Sequence, residues 1–171
     1  MKRILVTLII LSSLLMQATA QKDKMQAAYI YQFTKLIKWC DKYSSGDFII
    51  AVLGSSTVTT ELNGLAGKMV VNQPIVIKTF ASFDLIDKCN ILFVPASQST
   101  LLVSINRKLI NKCTLIITEK PGLAEKGASI NFIDDAGKLV FEVNSTSLSR
   151  HLLTANTRLL GMAKKVYALN N

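Results

Sequence analysis

Few reactive side chains are present in this sequence. Its 171 residues include one histidine, three cysteines and 11 acidic residues against 20 basic ones. The single histidine, His151, leaves no second imidazole for a metal site and no spare base for a serine or cysteine nucleophile. No Gly-x-Ser-x-Gly elbow and no phosphate-binding loop with its lysine are present. The sequence therefore favours binding over catalysis, with a hydrolase as the least favoured alternative and no metal.

Long apolar runs are also missing, apart from one near the start. A basic pair at 2–3 precedes an apolar stretch at 4–15, and the small residues at 18–20 match a signal peptidase site. A stretch of about a dozen residues is too short to span a bilayer of about 30 Å. We therefore predict a signal peptide cleaved after Ala20 and one exported domain at 21–171. Because that compartment holds little nucleotide or chromosomal DNA, no cofactor and no nucleic acid partner is predicted.

Acidic residues are outnumbered, which gives the chain a formal charge of +9. Loss of the leader lowers this charge to +7 over the remaining 151 residues. The excess is explained either by solubility and loose attraction to anionic surfaces or by an acidic partner. The lysines are scattered rather than interleaved with aromatics in a stripe, so the pattern is not that of a nucleic-acid-binding protein.

The three cysteines, Cys40, Cys89 and Cys113, allow one disulfide at most within the chain. Cys89 and Cys113 each precede an apolar run typical of a strand. If those strands are parallel neighbours, the two sulfurs start side by side at a spacing that a disulfide tolerates. The sequence leaves open a Cys89–Cys113 disulfide and two buried free thiols. Cys40 is expected to be a lone thiol near a helix end.

Apolar periodicity predicts alternating helices and strands. Three- and four-residue steps predict a first helix at 24–39 and a final helix at 147–167. Continuous apolar runs, typical of strands covered on both faces, predict a parallel sheet. The remaining predicted elements are strands at 48–53, 74–78, 91–94 and 114–118, helices at 58–65 and 97–111, and a hairpin of 128–133 with 138–143. This order predicts an α/β fold: a three-layer sandwich with a mostly parallel, Rossmann-like central sheet and an antiparallel edge hairpin. The hairpin loop is predicted to be longer than two residues.

Two loops are candidates for ligand or partner contact. The first, Gly54-Ser55-Ser56, follows a strand and opens a helix, where backbone N–H groups can hold a small anion; a plain turn is the alternative. The second follows the strand at 114–118, at the carboxyl edge where open α/β sheets place their sites. Its candidate residues are Glu119, Pro121, Gly122 and Glu125.

The other polar positions receive structural interpretations. Asp134 and Asp135 are interpreted as hairpin turn residues, Asn144 as a helix cap, and His151 as a residue on a helix face.

Several short segments resemble the YfiR family of exported bacterial proteins. The segment AAYIYQFTKLIKW at 27–39 is similar to the opening helix of that family. Further similar segments follow in order: LAGK at 65–68, QPI at 73–75, CNILF at 89–93, PGLAEKG at 121–127, INF at 130–132 and FEVN at 141–144. Together these segments span nearly the whole predicted mature chain.

The resemblance implies a periplasmic regulator without catalytic activity. Such a regulator binds the periplasmic sensing part of a membrane-bound diguanylate cyclase, or of a sensor histidine kinase, and holds it inactive. An outer-membrane lipoprotein that sequesters the regulator then allows cyclic-di-GMP and biofilm formation to rise. Three cysteines cannot form the two disulfides of the family, so redox switching is not predicted here.

The contact face predicted for such a partner contains Phe132 and Glu142 on the hairpin, beside the loop at 121–127, because hairpin edges expose unpaired backbone groups. The alternative is core packing for Phe132 and a strand-end carboxylate in solvent for Glu142. A second function is left open, that of a small-molecule receptor with its crevice near Gly54 and Pro95. A homodimer is also left open.

Overall fold

The computed structural model describes residues 2–41 and 44–168, with side chains described from Thr19 onward. Its helices are α1 (Lys2–Leu36), α2 (Val58–Asn63), α3 (Leu102–Leu109), α4 (Ser145–Arg150) and α5 (Thr157–Met162), with 3-10 segments at Phe83–Leu85 and Ala96–Leu101. Its strands are β1 (Ile37–Lys38), β2 (Phe48–Leu53), β3 (Met69–Val70), β4 (Gln73–Phe80), β5 (Ile91–Val94), β6 (Leu115–Thr118), β7 (Ile130–Asp135), β8 (Lys138–Asn144), β9 (Thr154–Ala155) and β10 (Lys165–Tyr167).

A curled, mostly parallel sheet of eight strands forms the centre of the fold, in the order β10-β8-β7-β6-β5-β2-β4-β3. Only the β3–β4 and β7–β8 pairs within it are antiparallel. Strands β2, β5 and β6 are buried along their whole length, which explains why their sequences are continuous apolar runs. The predicted α/β class and mostly parallel sheet are confirmed.

The core lies on both faces of this sheet. Side chains alternate between the faces, so that Ile50 and Val52 of β2 pack in the cluster that contains α1 residues, and Ala51 and Leu53 pack in the cluster that contains α3 residues. We call these the α1 face and the α3 face. Helix residues on each face complete the three layers that the sequence predicts.

The first helix ends earlier than predicted, at Leu36 instead of residue 39. Ile37 and Lys38 form β1, which pairs antiparallel with β9 in a separate two-stranded sheet. The Trp39 indole N–H donates to the Thr34 carbonyl at 3.0 Å and so satisfies an acceptor at the end of α1. The cleavage point predicted after Ala20 lies within α1 and stays a prediction. No helix in the described part of the chain is long and apolar enough to cross a membrane.

The single helix predicted at 147–167 is wrong, because this segment holds the end of α4, then β9, α5 and β10. Leu152 has a φ of 58°, a left-handed conformation that stops α4. Asn156 starts α5, since its side-chain oxygen accepts the Leu159 N–H at 2.9 Å. The leucines repeat at helical spacing, but this backbone conformation and this cap divide the segment.

The hairpin is confirmed, but its loop and its position differ from the prediction. Pairing continues to Asp135 and Lys138, which leaves the two-residue loop Ala136-Gly137, with φ values of 52° and 81°. Two positive φ values are typical of a tight hairpin turn, and Asp134 accepts the Gly137 N–H at 2.8 Å. The hairpin is also not an edge, because β10 pairs parallel with β8 and covers its outer side.

The structure joins Cys40 to Cys113 and leaves Cys89 free and buried. The Cys89–Cys113 disulfide that the sequence left open is therefore wrong, and Cys40 is not a lone thiol. Cys89 and Cys113 do precede neighbouring parallel strands. However, Cys113 packs on the α1 face and Cys89 packs on the α3 face, so the sheet separates their side chains. Cys40 follows β1 on the α1 face, and its Cα lies 6.0 Å from that of Cys113.

Candidate partner-binding site

Glu119 lies just after β6 at the carboxyl end of the sheet, as predicted, but it is held by other residues of the chain. Its carboxylate accepts hydrogen bonds from Gln26 Nε2 at 3.0 Å, from Lys22 Nζ at 3.3 Å and from the Ala96 N–H at 3.3 Å. Its side chain is only 15% exposed. Glu119 therefore fastens α1 to the sheet at Lys22 and Gln26 and is not free to bind a partner.

The loop that follows separates into a fixed base and an exposed tip. Leu123 and Ala124 are buried, and the Ala124 carbonyl accepts the Asn144 side-chain amide at 2.8 Å. Pro121, Gly122 and Glu125 are exposed. The loop is thus anchored to the core while three of the predicted contact residues face solvent. We call the exposed residues 120–122 and 125–126 the contact loop.

Phe132 and Glu142 do not form the exposed contact face that the sequence predicts. Phe132 is 1% exposed and packs on the α1 face, where its ring centroid lies 6.0 Å from that of Phe33. Glu142 is 8% exposed and accepts hydrogen bonds from Asn131 Nδ2 at 3.2 Å and from the Tyr167 hydroxyl at 3.1 Å. Core packing, the alternative for Phe132, is confirmed. Glu142 is buried rather than in solvent.

Glu142 belongs to a chain of hydrogen bonds that crosses four strands. Thr118 of β6 donates to Asn131 of β7 at 2.6 Å, Asn131 donates to Glu142 of β8, and Tyr167 of β10 donates to the same carboxylate. Each buried polar group thereby obtains a partner, which offsets the free-energy cost of its burial. These contacts help fix the edge strand β10, and local sequence patterns gave no signal of them.

The Gly54-Ser55-Ser56 loop has the geometry of a turn. The Gly54 N–H already donates to the Phe80 carbonyl at 2.8 Å, and the helix that follows has six residues. Gly54 has a φ of 70°, and an added Cβ would lie 3.1 Å from Gln98 Nε2. Glycine is therefore required here by backbone conformation and close packing, and its N–H is not available to an anion.

On its Pro95 side, the crevice predicted near Gly54 and Pro95 is bordered by contacts to α1. The Ala96 N–H, which follows Pro95, donates to Glu119, and Glu119 also binds the α1 residues Lys22 and Gln26. A small ligand at this edge would have to displace those contacts. The geometry therefore gives no support to a receptor site at this edge of the sheet.

An open cleft of about 600 Å³ lies beside the contact loop, between α3, the loop at 125–127 and the end of α4. The lining contributes Arg107 and Asn106 from α3, Glu125 and Lys126 from the loop, and Arg150 and His151 from the end of α4. Of these residues, the sequence had indicated Glu125 by name and Lys126 as part of the loop at 121–127. The residues from α3 and from the end of α4 were missed because they come from segments that only the folded sheet brings together.

His151, interpreted from the sequence as a residue on a helix face, closes the α4 side of this cleft and is buried, 1% exposed. Its Nδ1 lies 2.9 Å from the Leu109 carbonyl, which can only accept, so the neutral ring carries its proton on Nδ1. Nε2 lies 3.1 Å from the Asn106 Oδ1, while the Nδ2 of the same amide donates to the Leu102 carbonyl at 3.1 Å. Burial lowers the pKa of His151 below 6.5; the Leu109 carbonyl opposes this and the Arg150 charge adds to it.

We expect His151 to make the free energy of unfolding depend on pH below about 6.5, where an unfolded histidine takes up a proton. The folded chain resists that proton. The free energy of unfolding therefore decreases as the pH is lowered, by at most about 1.4 kcal/mol per pH unit, until the pH reaches the lowered pKa of His151 in the folded chain. Urea unfolding at pH 7.5 and 5.5 measures the difference, with His151→Asn as the comparison. Since the chain has one histidine, equal pH dependence in both proteins would contradict this assignment.

The fold is that of a small α/β protein with an anchored loop and an open cleft beside α3. In the described residues, no group of three or more His, Cys, Asp or Glu side chains is placed to hold a metal ion. The chain belongs to the YfiR/HmsC-like family, whose model matches residues 23–164. The comparison with curated proteins finds no match. Membership of this family supports a regulatory, non-catalytic periplasmic protein of cyclic-di-GMP signalling in general.

Proposed function

We propose that this protein binds and represses the periplasmic sensing domain of an inner-membrane diguanylate cyclase or sensor histidine kinase, and so limits cyclic-di-GMP and biofilm formation. The family match over residues 23–164 carries this proposal. In the same proposal, the leader is removed after Ala20, and an outer-membrane lipoprotein competes with the receptor for the regulator.

Repression requires that the regulator prefer the inactive state of its receptor. A binding protein shifts an equilibrium only by the difference between its affinities for the two states. A shift from about 99% active to about 99% inactive receptor needs a difference of about 10⁴-fold. An interface of about 1,200–2,000 Å² is typical for stable and specific partners. The contact loop and the adjacent cleft supply a continuous surface from which to build such an interface.

Photo-crosslinking in the living cell tests both the partner and the surface. A photoreactive amino acid in place of Lys120 or Glu125, both exposed on the contact loop, is expected to crosslink to the cyclase or kinase. The same substitution at Arg158, exposed on α5, is the matched control and should give no such product. Deletion of the gene should raise intracellular cyclic-di-GMP. Crosslinking to neither receptor class, with cyclic-di-GMP unchanged by deletion, would contradict the proposal.

A further inference from the structure

The outward side of α3 combines exposed apolar side chains with a cation. Val103 is 65% exposed and Ile110 is 48% exposed, although both are aliphatic. Arg107 lies between them, and all three line the cleft. Val103 and Arg107, four residues apart, lie on one face of α3, and Ile110 directly follows the helix. This wall of the cleft therefore offers hydrocarbon surface on either side of a guanidinium group.

The cleft carries an excess of positive charge that the protein itself does not neutralise. Arg107, Lys126 and Arg150 line it, with Glu125 as the acidic residue among the lining groups. The ion pairs among residues 19–41 and 44–168 join Lys22 to Glu119 and Lys164 to Asp135, so none of these three cations takes part in one. A ligand with carboxylates would complement them.

The polar groups of the cleft floor are already bonded within the protein. Asn144 donates to the Ala124 carbonyl at 2.8 Å and accepts the Ser147 N–H at 2.8 Å. The Ser147 hydroxyl donates to the Gly127 carbonyl at 2.8 Å. The floor therefore leaves few hydrogen-bonding groups for a ligand. Recognition has to come from charge at the rim and from apolar contact with α3.

We propose that this cleft binds an acidic, partly apolar segment of a protein, with carboxylates at Arg107 and Arg150 and aliphatic side chains against Val103 and Ile110. The inference rests on the proposed function, since the segment would belong to the regulated receptor. A cleft of about 600 Å³ that is open along one side suits a short stretch of extended chain. The exposed contact loop would meet the receptor surface next to that segment.

Peptide binding tests the chemistry of the cleft directly. The probe is a fluorescent peptide of alternating Glu and Leu, and the control is the same peptide with Lys in place of Glu. Only the acidic peptide should bind, and added NaCl should weaken its binding. Arg107→Glu and Arg150→Glu should each weaken binding by about tenfold or more, which is about 1.4 kcal/mol, while Arg158→Glu should have no effect. Val103→Ser should weaken binding by a few fold, because it removes apolar contact.

Several outcomes would overturn this inference. They are absence of binding by the acidic peptide, equal binding of the lysine peptide, or equal loss in the Arg158→Glu control. Vesicles containing phosphatidylglycerol form the competing arm. Vesicle binding that depends on Arg107 and Arg150, without peptide binding, would assign the cleft to an anionic membrane instead. Unchanged thermal unfolding of each variant shows that it is folded.

The same variants separate this inference from the proposed function. Persistent crosslinking of position 125 to a cyclase or kinase in the Arg107→Glu, Arg150→Glu double variant would overturn the inference and leave the regulator role intact. Peptide binding with the expected dependence on both arginines, but no receptor crosslinks and unchanged cyclic-di-GMP on deletion, would overturn the regulator role instead.

Discussion

Reduction of the Cys40–Cys113 disulfide is expected to lower the free energy of unfolding by about 4 kcal/mol. The two cysteines lie 73 residues apart, so the bond closes a long loop and restricts the unfolded chain strongly. In the loop-entropy model, the stabilisation by a disulfide grows with the length of the closed loop. The stabilisation for this loop lies between those for loops of about 15 and about 100 residues, nearer to the value for about 100. Domains have only about 5–15 kcal/mol of stability in total, so a loss of this size is a large share.

Urea unfolding with and without dithiothreitol measures this loss. Cys40 is partly exposed and gives the reductant access, and the Cys40→Ala, Cys113→Ala double variant should reproduce the stability of the reduced chain. Cys89→Ala is the matched control. Burial raises the pKa of the Cys89 thiol to about 12, so this thiol is not reactive in the folded chain, and its variant should keep the full sensitivity to reductant. Equal urea midpoints for the oxidised and reduced chains would contradict the prediction.

The disulfide also explains how the end of α1 is positioned. Cys40 follows the β1 strand that continues from α1, and Cys113 lies two residues before Leu115, the first residue of the central strand β6. Further toward its start, α1 is fastened to the sheet at Lys22 and Gln26 by the Glu119 carboxylate. The helix is therefore held against one face of the sheet at residues 22–26 and again just after its last residue, Leu36. Such a disulfide is compatible with an oxidising compartment such as the periplasm.

The central part of the sheet could be predicted because its signal is local. The strands at 48–53 and 91–94 were predicted with the bounds that the structure has, since complete burial on both faces makes every residue of the run apolar. The exposed tip of the contact loop was also predicted, because strand ends, proline and glycine mark such loops in the sequence.

The segment at 147–167 could not be predicted in the same way. Its leucines imitate one long amphipathic helix, but β10 forms because residues 165–167 pair with β8, more than twenty residues earlier in the chain. That pairing changes the hairpin from an edge into an interior element and brings Tyr167 to Glu142. The cleft depends on the same non-local contacts, so the sequence indicated its loop wall and missed its arginines.

Phe132→Ala is expected to lower the free energy of unfolding by about 3–5 kcal/mol, as is usual when a buried phenylalanine is truncated. Phe132 pairs across the hairpin with Phe141. Its ring centroid also lies 6.0 Å from that of Tyr29 and 6.0 Å from that of Phe33, both on α1. The alanine would leave a cavity between α1 and the sheet. Because the neighbouring side chains are closely packed, they cannot fill this cavity unless the helix shifts.

The comparison with an exposed residue decides whether Phe132 acts through the core or through a partner. Glu125→Ala, on the contact loop, should change the urea unfolding free energy by no more than about 0.5 kcal/mol, because its side chain is exposed. Phe132→Leu keeps most of the buried volume and should lose less than the alanine variant. A Phe132→Ala protein with wild-type stability but without receptor crosslinking would restore Phe132 to the contact face. If instead Phe132→Ala loses the most stability and Phe132→Leu loses less, Phe132 acts by packing α1 against the sheet.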